Sequence, residues 1–150
     1  MEERYKTFTL LISKISRCIR KIKTNEVEEV ELKSPHVSCL YYLYQQDGMT
    51  SKELCDICDE DKGAISRSIE FLRNKGFIEM SSNSEKRHKS PLNLTQKGKE
   101  IGLVLSQKID KVLETASVGL SEENRKNFYD SLILISNNLQ KICDKYGDDE

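Results

Sequence analysis

Residues Thr50 to Thr95 read TSKELCDICDEDKGAISRSIEFLRNKGFIEMSSNSEKRHKSPLNLT. Thr50 followed three residues later by Glu53 has the spacing of a capping box, in which a hydroxyl and a carboxylate satisfy two free N–H groups, so a short helix is predicted from Ser51 to Cys58. The acidic residues Asp59 to Asp61 make a turn. A second helix follows from about Lys62 to Asn74, with Ile65, Ile69 and Leu72 recurring at helical spacing on the inward face and Gly76 as its stop. Phe77 to Met80 then suits a strand, Ser81 to Ser90 a polar hairpin, and Leu92 to Leu94 the return strand, with Pro91 tolerable at an edge.

Helix, turn, helix and hairpin in that order make a winged helix-turn-helix. The outward face of its second helix is Lys62, Gly63, Ser66, Arg67 and Glu70. A helix that enters a major groove needs short or hydrogen-bonding side chains on its leading face, and Ser66 and Arg67 meet that need. Arg67 can reach a guanine edge or a phosphate. Lys62 and Gly63 stand at the helix start, where free N–H groups and the helix dipole favour phosphate and glycine permits close approach. The hairpin tip carries Lys86, Arg87, His88 and Lys89, whose cations suit the DNA backbone or the minor groove, with Arg87 the first choice for insertion. Glu85 is assigned to holding Arg87 or Lys86 in place. The candidate DNA-binding set is therefore Lys62, Gly63, Ser66, Arg67, Arg73, Lys86, Arg87 and Lys89.

Charge supports this reading only locally. The whole chain of 150 residues carries a formal net charge of −1, yet from Lys62 to Lys99 nine Lys/Arg face three Glu, leaving +6 there and −7 elsewhere. Phosphate attraction acts within a Debye length of roughly 10 Å, so the local excess matters more than the total.

Outside this unit, Tyr5, Phe8, Ile12, Ile15, Ile19 and Ile22 recur at three- and four-residue steps, a seam on one face of a first helix. Glu26 to Lys33 is acidic and aperiodic, a loop or frayed end. Ser34 as N-cap with Pro35 at the first helical position opens a second helix through Val37, Leu40 and Leu43, stopping near Gly48. Thr95 caps a long fifth helix whose buried stripe is expected to be Ile101, Leu105, Ile109 and Val112. Ser121, with Glu122 and Glu123, opens a last helix bearing Phe128, Leu132, Ile135, Leu139 and Ile142, and Gly147 to Glu150 is expected to be a disordered tail. The fold class expected is mainly α with a small β-hairpin wing: one domain over 1–150, with a winged unit at 32–95 and dimerisation helices at 3–24 and 96–146. Two apolar seams beside a small core favour a homodimer over packing within one subunit.

The chain lacks an apolar run long enough for a membrane span or a secretory leader, so a cytoplasmic protein without a membrane partner is expected. Five cysteines without an export signal argue for reduced thiols. Cys55-Asp56-Ile57-Cys58 is a C-x-x-C, but no second pair accompanies it and the only histidines are His36 and His88; Cys55 and Cys58 read as core fillers rather than zinc ligands. Cys18, Cys39 and Cys143 remain for redox sensing. No Ser/His/Asp order, phosphate-cradling glycine loop or paired carboxylates point to catalysis, so neither enzyme, metal nor cofactor is expected. Tyr41, Tyr42 and Tyr44 border a ligand pocket only in part, since three at that spacing cannot face one way.

The chain resembles the MarR family of bacterial transcriptional regulators. The resemblance runs through Leu32, Ser34 and Pro35 leading to Leu40 and Leu43, then Met49-Thr50-Ser51-Lys52-Glu53-Leu54, Asp61-Lys62-Gly63-Ala64-Ile65-Ser66-Arg67, Leu72-Arg73-Asn74-Lys75-Gly76-Phe77-Ile78 and Leu94-Thr95-Gln96-Lys97-Gly98-Lys99. It implies a homodimer that places paired winged helices on a pseudo-palindromic double-stranded DNA operator, usually a repressor released by a small-molecule effector or by oxidation. It also implies DNA contacts from Lys62, Ser66, Arg67 and Arg87. The chain departs from the family's pattern at Glu85, where Asp is usual, at His36, where Gln is common, and in a wing about one residue longer. Two alternatives stand beside the repressor: a redox-sensing regulator acting through Cys18, and a winged-helix protein-interaction module without DNA binding.

Overall fold

Five of the six helices begin at a local polar bond, and these bonds set the frame. The computed structural model describes residues 2–25, 31–58, 60–80 and 90–147. It contains α1 (Glu2–Asn25), α2 (Ser34–Gln45), α3 (Ser51–Ile57), α4 (Lys62–Asn74), β1 (Ile78–Met80), β2 (Leu92–Leu94), α5 (Gln96–Ala116) and α6 (Glu122–Asp144). The chain divides into two compact units, residues 1–109 and 110–150.

The capping box of α3 is present. The Glu53 N–H donates to Thr50 Oγ1 at 3.2 Å, and the Thr50 N–H donates to Glu53 Oε2 at 2.7 Å. These donors, the Thr50 backbone first and its hydroxyl second, hold the Glu53 carboxyl below its usual range. α2 corrects the expectation by one residue: its N-cap is Lys33, not Ser34, and the Lys33 N–H donates to His36 Nδ1 at 3.1 Å. The imidazole reaches back to accept the N–H of the N-cap residue itself, a different donor from the N–H groups one turn into the helix that a Ser34 hydroxyl would have accepted. The His36 ring stacks on Phe71 of α4, with centroids 4.1 Å apart and planes 6° from parallel.

The first unit's core lies where α2, α3, α4 and the strands meet. Leu40, Leu43, Leu54, Ile65, Leu72, Leu92 and Leu105 are all less than 2 % exposed, and burying each is worth about 1.5–3 kcal/mol. β1 and β2 pair antiparallel with Ile78 opposite Leu94 and Met80 opposite Leu92. β2 also bridges Met49 on its other side, the Leu92 N–H donating to the Met49 carbonyl at 2.9 Å. Leu92 is therefore not on an edge, and Pro91 is accommodated because it precedes the strand and needs no partner there. Gly76, with φ +76°, ends the turn after α4 in a backbone state glycine adopts freely.

Two glycines set the seat of α5. A β-carbon at Gly98 would collide with the Phe77 carbonyl oxygen, and one at Gly102 would lie 2.7 Å from the Tyr44 ring. The expected buried stripe is corrected accordingly: on α5 only Leu105 of the four is buried, with Gly98 and Gly102, while Ile101, Ile109 and Val112 are half-covered. Close backbone approach, which apolar periodicity does not report, decides which face packs.

In the second unit, α6 starts at Ser121, whose Oγ accepts from the Asn124 N–H at 3.2 Å, and buries no residue within one chain. The seam on α1 is likewise uncovered, with Tyr5, Phe8, Ile12, Ile15 and Ile19 all exposed.

Candidate nucleic-acid interface

The outward face of α4 is built from its first turn. Asp61 is the N-cap: its Oδ1 accepts from the Ala64 N–H at 2.8 Å, and its carbonyl accepts from Ile65 at 3.1 Å. The sequence places Asp61 in a turn, but its carboxylate already takes one of the N–H groups expected to be free for phosphate. Anion attraction there then rests more on side chains than on the bare helix end.

Lys62, Ser66, Arg67, Glu70 and Arg73 are exposed and Gly63 is half-exposed, whereas Ile65, Ser68, Ile69 and Leu72 are buried on the opposite side. At 100° per residue Lys62, Ser66 and Arg73 fall within about 40° of one another along the helix. Arg67 turns back toward the first turn. A β-carbon on Gly63 would stand 3.2 Å from Arg67 Nη1 and 3.0 Å from Asp61 Oδ1, so the bare Cα of Gly63 makes room for that guanidinium.

A cavity of about 430 Å³ opens between α3 and α4 and is lined by Lys52, Cys55, Asp56, Lys62, Ile65 and Ser66 among others. It brings Lys52 of α3 beside Lys62 and Ser66, a cation missed by the sequence-based set. Its signal was its place in the first turn of a helix that precedes the outward-facing one. Two cations within the basic stretch serve the fold instead. Lys97 Nζ donates to the Lys75 carbonyl at 2.8 Å and lies 4.5 Å from the centre of the Phe77 ring, and Lys75 Nζ lies 5.7 Å from the Phe71 ring. Lys86, Arg87 and Lys89 fall outside the described residues.

A family model described as a winged helix DNA-binding domain matches residues 32–98. The structure of MarR is similar to this chain at 25% identity, covering 89% of this chain and 98% of that one with a TM-score of 0.71. The chain carries a winged helix DNA-binding domain and shares the fold of MarR-type regulators. Among its relatives is an HTH-type transcriptional regulator of Bacillus subtilis, YybA, at 22% identity over 130 residues and 87% of each chain. The fold is shared with a structure from Listeria monocytogenes assigned to the MarR family and complexed with 26mer DNA, at 23% identity, 85% of each chain and a TM-score of 0.79. Among the described residues no helix is long and apolar enough to cross a membrane.

Proposed function

We propose that this chain is a MarR-type cytoplasmic repressor that binds a pseudo-palindromic double-stranded DNA operator as a homodimer, without catalytic activity, and leaves it when a small-molecule effector binds. One observation carries the reading: α4, capped by Asp61 and packed through Ile65, Ile69 and Leu72, holds Lys62, Ser66, Arg67 and Arg73 outward on a rigid support. Ser66 and Arg67 read base edges, Lys62 and Arg73 hold phosphates, Gly63 allows close approach, and Lys86, Arg87 and Lys89 follow the backbone or minor groove. The uncovered seams of α1 and α6 support pairing of two copies through the terminal helices, since contiguous apolar surface beyond a few hundred Å² is rare on monomers. Two recognition helices would then meet half-sites about 34 Å apart.

Selection of bound duplexes from a random pool tests this. The expected result is a two-fold symmetric consensus whose affinity falls by about 10³ to 10⁵ between 50 and 200 mM salt, as 6 to 10 phosphate contacts require. Recovery of no duplex at low salt, or of an asymmetric consensus, would overturn it. The former outcome would leave a protein-interaction module.

A further inference from the structure

The outward-facing helix α4 begins with a charge of the wrong sign for DNA. Asp61 is exposed at its N-cap, with extended backbone at φ −67° and ψ 156°. The turn that carries it is tied to α3, since the Cys55 thiol donates to the Glu60 carbonyl at 3.6 Å, and Asp61 Oδ1 is fixed by the 2.8 Å bond from the Ala64 N–H. A serine or asparagine would cap the helix about as well, so capping alone does not call for a carboxylate among cations. Arg67 lies more than a turn into α4, and a side chain there leans toward the helix N-terminus. Its Nη1 and Cζ come within 3.2 and 3.9 Å of the point where Gly63 would carry a β-carbon, and Asp61 Oδ1 comes within 3.0 Å of the same point. The carboxylate and the guanidinium therefore stand no more than about 6 Å apart, a range over which opposite charges act on each other.

We infer that Asp61 and Gly63 are positioning residues for a base-reading arginine: Gly63 leaves room for the Arg67 guanidinium to fold over the first turn of α4, and the Asp61 carboxylate holds it there, away from phosphates. The inference rests on the DNA-binding role proposed for α4. In a helix-turn-helix the N-terminal residues of the recognition helix meet the base edges, and folding back delivers the Arg67 guanidinium to that level. A guanidinium free at the surface would take the nearest phosphate instead, a contact that carries no sequence information.

The carboxylate acts on the choice of partner as well as on geometry. A guanine edge offers the guanidinium two neutral acceptors, whereas a phosphate brought to the same place meets the repulsion of Asp61. Affinity for duplexes in general is lowered, and discrimination between them is raised, because specificity is a difference of affinities and repulsion of the wrong partner adds to it. Cap and charge can be separated. Asparagine accepts the Ala64 N–H as aspartate does but carries no charge, so Asp61→Asn keeps the helix start and releases Arg67. Gly63→Ala sets a methyl group against Nη1 and turns the guanidinium outward.

The test measures binding of the full chain to its selected operator, to operators altered at single bases and to a non-specific duplex, between about 50 and 200 mM salt. Arg67→Ala should lower preference at one base position about tenfold and leave the salt dependence on the non-specific duplex unchanged. Asp61→Asn should lower that same preference about fivefold and tighten non-specific binding. It should also steepen the logarithmic salt slope by about 0.9 for each Arg67 that takes a phosphate, and adding Arg67→Ala should cancel the steepening. Gly63→Ala should act in the same direction and less. A residue that only caps the helix would move neither the base preference nor the slope while the urea midpoint stays at the wild-type value; Asp61→Ser, a hydroxyl cap without charge, repeats the measurement if Asp61→Asn folds poorly. Wild-type preference and slope in Asp61→Asn would overturn the inference and leave Arg67 as a base reader. Unchanged base preference in Arg67→Ala would overturn both.

Discussion

Gly98 of α5 presses its bare Cα against the carbonyl oxygen of Phe77, leaving no volume for even one methyl group. The same residue donates its N–H to Thr95 Oγ1 at 3.1 Å. The end of the winged unit and the start of α5 are thus joined by contact and by a cap. Gly98→Ala should lower stability by about 1–3 kcal/mol from overpacking, although alanine favours helix over glycine by about 1 kcal/mol. The urea midpoint should fall with an unchanged slope. A midpoint equal to wild type would show that the helix moves aside freely.

Thr95 ties three backbone groups. Its hydroxyl lies 2.6 Å from the Gly76 carbonyl and 3.2 Å from that of Phe77, while it accepts from Gly98. Thr95→Ala should cost about 1 kcal/mol as a lost cap, and Thr95→Ser should restore most of it. Equal loss in both variants would assign the effect to the methyl group instead.

His36 makes stability depend on pH. Burial first and the Lys33 charge second hold its pKa below the ordinary value of 6.5, and a protonated Nδ1 could not accept the Lys33 N–H. The folded state therefore binds fewer protons than the unfolded state. Its contribution is full above about pH 6.5 and is lost as pH falls through the lower folded value. In denaturant titrations the gap between wild type and His36→Gln should change over that window; a gap constant from pH 8 to pH 5 would refute the linkage.

Arg67 and Arg87 should differ in kind. Arg67→Ala should cost about 1–3 kcal/mol of operator affinity and relax preference at one base position, whereas Arg87→Ala should weaken binding evenly across sequences. Competition binding with operator variants measures both. Negligible effects from both would contradict the assigned interface.

The seam on α6 should hold two copies together. Leu139 is 48 % exposed in the single chain, and Leu139→Glu would place a charge in the proposed interface, where desolvation opposes it. Sedimentation should shift from two copies toward one, with operator affinity falling alongside. A variant that remains paired would move the interface elsewhere.

The local rules were legible without coordinates. The Thr50–Glu53 box, the inward triad Ile65, Ile69 and Leu72, the stop at Gly76 and the limits of β2 each depend on residues within a few positions of one another, where backbone chemistry and helical period decide. The exposure of Ser66 and Arg67 follows from that same period. What tertiary packing decided lies between segments distant along the chain: the Met49 bridge to Leu92, the His36 stack on Phe71, and the seating of α5 on Gly98 and Gly102. It also brought Lys52 beside Lys62. Such contacts depend on which surfaces exclude each other's water and fit each other's shape. A one-dimensional pattern records which residues prefer burial, but not which partner each one meets.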